Sequence, residues 1–301
     1  MQYDVAIIGG SYAGLAAAMP LVRARRKVVL IDAGHRRNRY AEHSHGFLTQ
    51  DGSKASDIVE IAKQQLLAYQ TVDWEDGRVK RVEKVDGGFA VCIDATRFIT
   101  AKRLIIAAGI TDQLPEISGL VERWGKSIFH CPYCHGYELN QGKIGIIASS
   151  EHAAHMAMML PDWGDTTLFL NDYSVEKELL DQLATRGVRV EKRLIQEIIG
   201  HSDVLLADGS VIQLDGIFAT TKCTIAQDWI FKLGCEIEQN TMGEAIKTNA
   251  MKETTVAGIF ACGDVARLGS SVPLAVGDGT MAGAAAHRSL IFTEQIKKAR
   301  D

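Results

Sequence analysis

Among the 301 residues no apolar run approaches the roughly eighteen that a membrane span requires, so no such span is expected. Charge of one sign is also scarce. The formal net charge is only -4 and the basic residues are scattered, which gives neither a nucleic-acid groove nor a membrane-binding face. Low-complexity segments and short repeats are absent. The strand expected from Tyr3 to Ile8 leaves no room for a signal peptide, so a cytoplasmic setting is expected. In that reducing setting the six cysteines do not make a disulfide framework, and a close pair among them reads as catalytic or metal-binding. What is present is 47% hydrophobic and 23% charged residues, the balance of a globular chain long enough for two ordinary domains or one large one.

The pattern of the chain is that of an α/β protein. Val5-Ala6-Ile7-Ile8 reads as a buried parallel strand ended by Gly9-Gly10. An alanine-rich helix is expected from about Ala13 to Ala24, and a second strand from Val28 closes at Asp32. A later strand, Arg103 to Ala108, ends in Gly109, with a loop signal at Pro115. A second βαβ pattern follows: strand Lys143–Ile147, helix Glu151–Leu160, strand Thr166–Leu170. Leu205–Ile212 reads as a hairpin turning at Asp208-Gly209, and Gly216–Thr220 as another buried strand. After Gly258-Ile259-Phe260-Ala261 and Gly263-Asp264, an alanine-rich helix is expected from about Gly277. Two nested Rossmann-like units are therefore expected, each a three-layer ββα dinucleotide-binding domain, the second inserted into the first. The expected bounds are 1–116 with 245–301 for the outer domain and 117–244 for the inserted one, crossing near Gly119 and Gly243.

A dinucleotide fingerprint needs glycines between strand and helix for a tight turn, close backbone approach to a pyrophosphate, and close helix packing. The six positions here are Gly9, Gly10, Ser11, Tyr12, Ala13 and Gly14. Ser11 replaces the middle glycine, and its hydroxyl can donate to a phosphate. Asp32 ends the next strand, where an acidic residue holds a ribose hydroxyl. Alone, such a turn can also bind nothing. The segment Thr255–Asp264, ending Ala261-Cys262-Gly263-Asp264, resembles the second FAD fingerprint of the two-dinucleotide-binding flavoproteins. Taken with the N-terminal unit, it makes FAD the expected cofactor.

His130-Cys131-Pro132-Tyr133-Cys134-His135-Gly136 carries the most information. Two cysteines at this spacing can close a disulfide when the second opens a helix, whose N-terminus lowers a thiolate pKa. Zinc ligation and two buried structural cysteines are the alternatives. A zinc site usually needs a second ligand pair, and Cys223 and Cys235 are twelve residues apart. No metal is expected. The intervening Pro-Tyr also occurs in glutaredoxins, which are small domains with the pair near their start.

On these residues, with Ile106-Ala107-Ala108-Gly109, the whole chain resembles the low-molecular-weight thioredoxin reductases, FAD-dependent disulfide oxidoreductases related to flavin dithiol oxidases. The resemblance implies that Cys134 faces the flavin while Cys131 exchanges with substrate, and that the inserted domain swivels between the two tasks. It extends the flavin site to Ala33, Asn38, Arg39, Ala108, Gly109, Gly263, Asp264, Ser271 and Val272. It also implies a homodimer. Two departures stand out. The family usually has Asp after the second cysteine, whereas this chain has His135, an imidazole able to move a thiol proton near neutrality. His130, His43 and His45 are expected to be structural. The second departure lies in the nicotinamide unit, which should read Gly-x-Gly-x-x-Ala with arginines after the next strand. The chain has Ala148-Ser149-Ser150-Glu151-His152-Ala153 and then Asn171-Asp172-Tyr173. Glu151 opposes a pyrophosphate at the helix N-terminus, so an ordinary NAD(P)H site is not expected.

The expected function is FAD-dependent thiol–disulfide oxidoreduction through Cys131, Cys134 and His135. Its substrate is a protein dithiol or disulfide, such as a thioredoxin-like partner, or a small-molecule one. An NADPH-dependent thioredoxin reductase is the alternative within the class, and a non-catalytic flavin-containing redox sensor is the alternative outside it.

Overall fold

The structure is a computed structural model and describes residues 2–298. By compactness the chain forms two units. One comprises Met1–Arg37, Ser56–Thr111 and Thr224–Asp301, the other Asn38–Ala55 and Asp112–Cys223. Both are α/β units of Rossmann type, and the second is inserted into the first.

In the first unit, strands Val72–Asp76, Val28–Asp32, Gln2–Ile8 and Arg97–Ile106 lie side by side in parallel. The long strand Arg97–Ile106 serves two layers. Its first half pairs antiparallel with Gly88–Ile93, which in turn pairs with Val79–Val85. Its last residues pair in parallel with Ile259–Ala261. Side chains alternate across a strand, so both faces of this apolar sheet must be covered. Val5, Ile7, Val28 and Leu30 pack with helices Tyr12–Arg23 and Val272–Lys298. Ala6, Ile8, Val29 and Ile31 pack with Val82, Phe89 and Val91 of the antiparallel strands. The two helices meet through small residues. A Cβ added at Gly279 or Gly283 would strike the backbone carbonyl of Ala13 or Ala17, so no larger residue permits that approach. The terminal helix begins at Val272, five residues before the expected Gly277. Ser271 accepts a bond from the Leu274 N–H and Pro273 suits a first turn, and these start signals outweigh the glycine.

The second unit repeats the scheme. Its parallel sheet is ordered Ile128–Phe129, Gly216–Ala219, Gln141–Ile147, Gly164–Phe169, Arg189–Glu191. Ile144, Ile146 and Leu168 share a core with Ala153 and Ala157 of helix Glu151–Met159 and Leu183 of helix Lys177–Thr185. Ile147, Phe169 and Ile217 pack against an antiparallel ribbon of Ile195–Ile199, Asp203–Leu206 and Val211–Ile212. The expected Asp208-Gly209 turn closes that ribbon, with Gly209 at φ +83°.

The compact units do not divide at Gly119 and Gly243. Residues after Thr224 group with the first unit because Ile225, Trp229, Ile230 and Leu233 are buried in the same core as Ala6 and Ile8. The segment 38–55 groups with the second unit. There it forms a hairpin in which His43–Ser44 pairs antiparallel with Ser53–Lys54. Among the described residues no helix is long and apolar enough to cross a membrane.

Candidate active site

The first strand–turn–helix passes from Ile8 to Tyr12. Gly9 has φ +110°, and a Cβ there would strike the Ala107 carbonyl. At Gly10 a Cβ would lie 2.7 Å from the Asp32 Cβ, and at Gly14 it would strike the Gly9 carbonyl. Asp32 ties the turn down, accepting from the Gly10 N–H at 2.9 Å and the Gly34 N–H at 3.1 Å. Helix Tyr12–Arg23 has no acidic residue in its first turn, and Ser11 makes no side-chain capping bond. Ser11 therefore does not cap this helix, and the glycines let the backbone of the turn be approached closely. Those two properties fit the phosphate end of FAD.

The second fingerprint lies in the same unit. Asp264 is held by Arg37, whose Nη1 donates to Oδ2 at 3.0 Å and also to the Ser270 hydroxyl. Arg37 is not among the residues expected there. Only the basic run Arg36-Arg37-Asn38-Arg39 marks it, and nothing in that run singles out a partner 227 residues away. Gly109 takes φ +66° after Ala108, Ala33 is exposed beyond Asp32, and Ser271 and Val272 start the terminal helix. Asn38 and Arg39 fall in the 38–55 segment of the second unit, where the Arg39 guanidinium lies over the Tyr40 ring.

In the second unit the matching turn is filled from within. The Ser149 and Thr220 hydroxyls are 2.7 Å apart, and the Ser150 hydroxyl is 3.1 Å from that of Thr220. Ser150 caps helix Glu151–Met159 by accepting from the Ala153 N–H, and Glu151 occupies the first turn. Beyond the next strand, the Asn171 side chain accepts from the Ile195 N–H, and both Asn171 and Asp172 take positive φ. Donors and space that a pyrophosphate would use are engaged by the chain's own side chains.

Cys131 and Cys134 are joined as a disulfide, with Cα atoms 5.3 Å apart. The short helix Pro132–His135 differs from expectation in its register. Its N-cap is the first cysteine, Cys131, and Cys134 sits inside the turn. Pro132 explains this, because a proline with fixed φ and no N–H belongs at the first helical position. Gly136 follows, where a Cβ would lie 2.7 Å from the Trp163 ring, so the turn rests directly on that indole. Trp163 also meets Tyr133 edge to face at 5.2 Å. Tyr133 and Tyr137 nevertheless remain 71% and 86% exposed, so the pair is flanked by aromatic surface open to a substrate.

The His135 ring stacks on Phe129 with centroids 4.4 Å apart, and the His45 ring meets it edge-on at 6.2 Å. Burial first, then the neighbouring charge of His45, lowers the His135 pKa to about 4. It is therefore a neutral imidazole at pH 7, and a weaker base than an exposed histidine. For His45 the sequence suggests only a structural role. Its place beside the pair is set by the hairpin, which carries no short-range sequence signal. His130 lies against Trp124. The four other cysteines are not in disulfides. Of these Cys92, Cys235 and Cys262 are buried, and burial raises the thiol pKa of Cys262 to about 12 and raises that of Cys235, which leaves both as poor nucleophiles.

Residues 3–279 match the pyridine nucleotide-disulphide oxidoreductase family. The chain is 31% identical to the thioredoxin reductase aclD of Aspergillus oryzae, over 98% of each chain. It is 26% identical to a thioredoxin reductase of Listeria innocua, covering 99% of this chain and 96% of that one. Among solved structures, an oxidoreductase from Agrobacterium tumefaciens is 58% identical, with a TM-score of 0.95 over 97% of this chain and 99% of that one.

Proposed function

The chain belongs to the pyridine nucleotide-disulphide oxidoreductase family, and we propose that it moves electron pairs between FAD and a dithiol or disulfide substrate through Cys131 and Cys134. The observation that carries the reading is the Cys131–Cys134 disulfide, set beside a neutral, part-buried imidazole and an open aromatic surface. Bound FAD supplies two-electron chemistry. Gly9 to Gly14, Asp32, Ala108, Gly109, Asp264 and Arg37 are the residues proposed to hold it, with Ala33, Asn38, Arg39, Gly263, Ser271 and Val272 around them. Residues 1–116 with 245–301 are read as the FAD-binding domain, and 117–244 as the domain carrying the pair.

In the exchange, a substrate thiolate attacks one sulfur of the protein disulfide. A mixed S–S bond forms as the Cys131–Cys134 bond breaks, and the released cysteine leaves as a thiolate. The second substrate thiol gives up its proton and displaces the protein sulfur. The substrate leaves as a disulfide, and the protein pair has gained two electrons. His135 is the proposed acceptor of the thiol proton. Each step is reversible, so the same groups serve a substrate disulfide, on a small molecule or on a thioredoxin-like protein.

The filled turn at Ser149, Ser150 and Thr220, with Glu151 beside it, argues against ordinary NADPH as the electron donor. Anaerobic stopped-flow reduction of the flavin tests this. The expected order is a dithiol first, NADH second and NADPH last; reduction by NADPH that saturates in the micromolar range would overturn it. The reading includes a cytoplasmic setting and a homodimer, checked by cell fractionation and by sedimentation.

A further inference from the structure

We propose that His45 and Glu138 are positioning residues for the redox pair: the contact between the Glu138 carboxylate and His45 Nδ1 fixes the His45 ring against His135. The proposal rests on the reading of His135 as the proton acceptor. Its geometry lies wholly within the second unit. His45 leaves the hairpin of His43–Ser44 and Ser53–Lys54. That loop is closed by the Gly52 N–H to the Ser44 carbonyl at 2.9 Å and by the Gly46 N–H to Asp51 Oδ1 at 2.7 Å. Glu138 stands three residues beyond His135, in the single 3-10 turn Tyr137–Leu139.

Three groups define the surroundings of the His135 ring. Phe129 lies flat on one side, and the His45 edge stands at the other, at 79° to it. The disulfide is on its own short helix. The charges facing this assembly are the Glu138 carboxylate, 3.2 Å from His45 Nδ1, and the Asp51 carboxylate, 3.8 Å from the same atom. Asp51 is the weaker partner, since its side chain is 72% exposed against 41% for Glu138 and it is already bound to the Gly46 N–H. The Glu138 carboxylate accepts from His45 Nδ1, which holds the edge of the His45 ring toward His135, and His45 in that place lowers the His135 pKa. His135 is thereby kept neutral between the Phe129 ring and the His45 edge. A bland surface ion pair that merely pins the hairpin would have no effect on His135.

The two possibilities separate in histidine NMR of the flavin-loaded protein, labelled at histidine Cε1, with the His135 signal assigned from His135→Gln. In the wild type that signal keeps its neutral shift to below about pH 5. In His45→Gln its titration midpoint is expected to rise by about one unit or more. Glu138→Gln, which loses the contact that holds the His45 ring, is expected to move it the same way and to add little in the His45→Gln background. The pH profile of dithiol exchange at the pair should move with it. If His135→Gln leaves that profile unchanged, the role of His135 itself fails. If His135→Gln shifts the profile but neither His45→Gln nor Glu138→Gln moves the His135 titration, this proposal fails and the role of His135 stands. Retained flavin absorbance marks a folded variant. Should His45→Gln lose it, Glu138→Gln, at a half-exposed site, decides between the two possibilities alone.

Discussion

At Gly9–Gly14 the backbone is squeezed against the Ala107 carbonyl and Asp32, and the helix behind it starts without a side-chain cap or an acidic residue. At Ala148–Ala153, on the same kind of strand and before the same kind of helix, the cap is a serine, the first residue is Glu151, and three hydroxyls bond across the turn. One turn keeps glycines where any side chain would collide, and the other is bridged by its own hydroxyls. The first leaves the backbone able to approach a ligand closely. The second has spent its donors on itself and contributes a scaffold. The chemistry proposed for that unit lies instead at the Cys131–Cys134 disulfide, on a four-residue helix and its N-cap after a two-residue strand.

The contrast breaks most visibly at Gly14. A valine there must collide with the Gly9 carbonyl, so Gly14→Val is expected to abolish flavin retention and cost about 3 kcal/mol or more, read as flavin-to-protein absorbance and thermal melting. A variant that keeps its yellow colour and its melting point would remove the case for a phosphate cradle. The next effect concerns pH. Because folding holds the His135 pKa near 4 against an ordinary 6.5, the unfolded chain binds more protons between those values, and stability falls as pH drops through that window. The loss approaches about 3 kcal/mol at most, less what solvent screening removes. Urea unfolding at pH 7 and pH 4.5 should show His135→Gln losing less than the wild type; equal losses would mean that His135 is not held neutral by the fold. The smallest effect belongs to the closed turn. Ser150→Ala removes one cap, at about 1 kcal/mol, with no change in flavin content.

Those magnitudes track what can be read from the chain. The strand–glycine–helix at Gly9 and the Cys-x-x-Cys-His segment are local patterns within a few residues, and the structure has the turn and the disulfide they suggest. The family resemblance then supplies the nested α/β architecture, which the structure has. Contacts between distant segments are not legible. His45 reaches His135 only because a hairpin with two-residue strands folds onto the second unit, and strands that short carry no periodicity. Trp229 and Leu233 sit in the first core although they follow the inserted segment, and their apolar spacing suits either unit equally. Arg37 is one of three arginines in four residues, and only its partner Asp264 distinguishes it. The Cys131 cap is a local miss: Pro132 is visible in the sequence, yet the helix opens at the first cysteine rather than at the second.

The strand Ile259–Ala261 and the terminal helix have a consequence during synthesis. The second unit has all its residues once Cys223 has been made, whereas the sheet of the first lacks its last parallel strand, and Gly279 and Gly283 are not there to cover Ala13 and Ala17. At about 5–20 residues per second, the Arg97–Ile106 strand waits roughly ten to thirty seconds for that partner to be translated. The inserted unit thus finishes on the ribosome before the unit that encloses it. In the meantime the Arg97–Ile106 strand is an unpaired sheet edge, which closes when Ile259–Ala261 arrives.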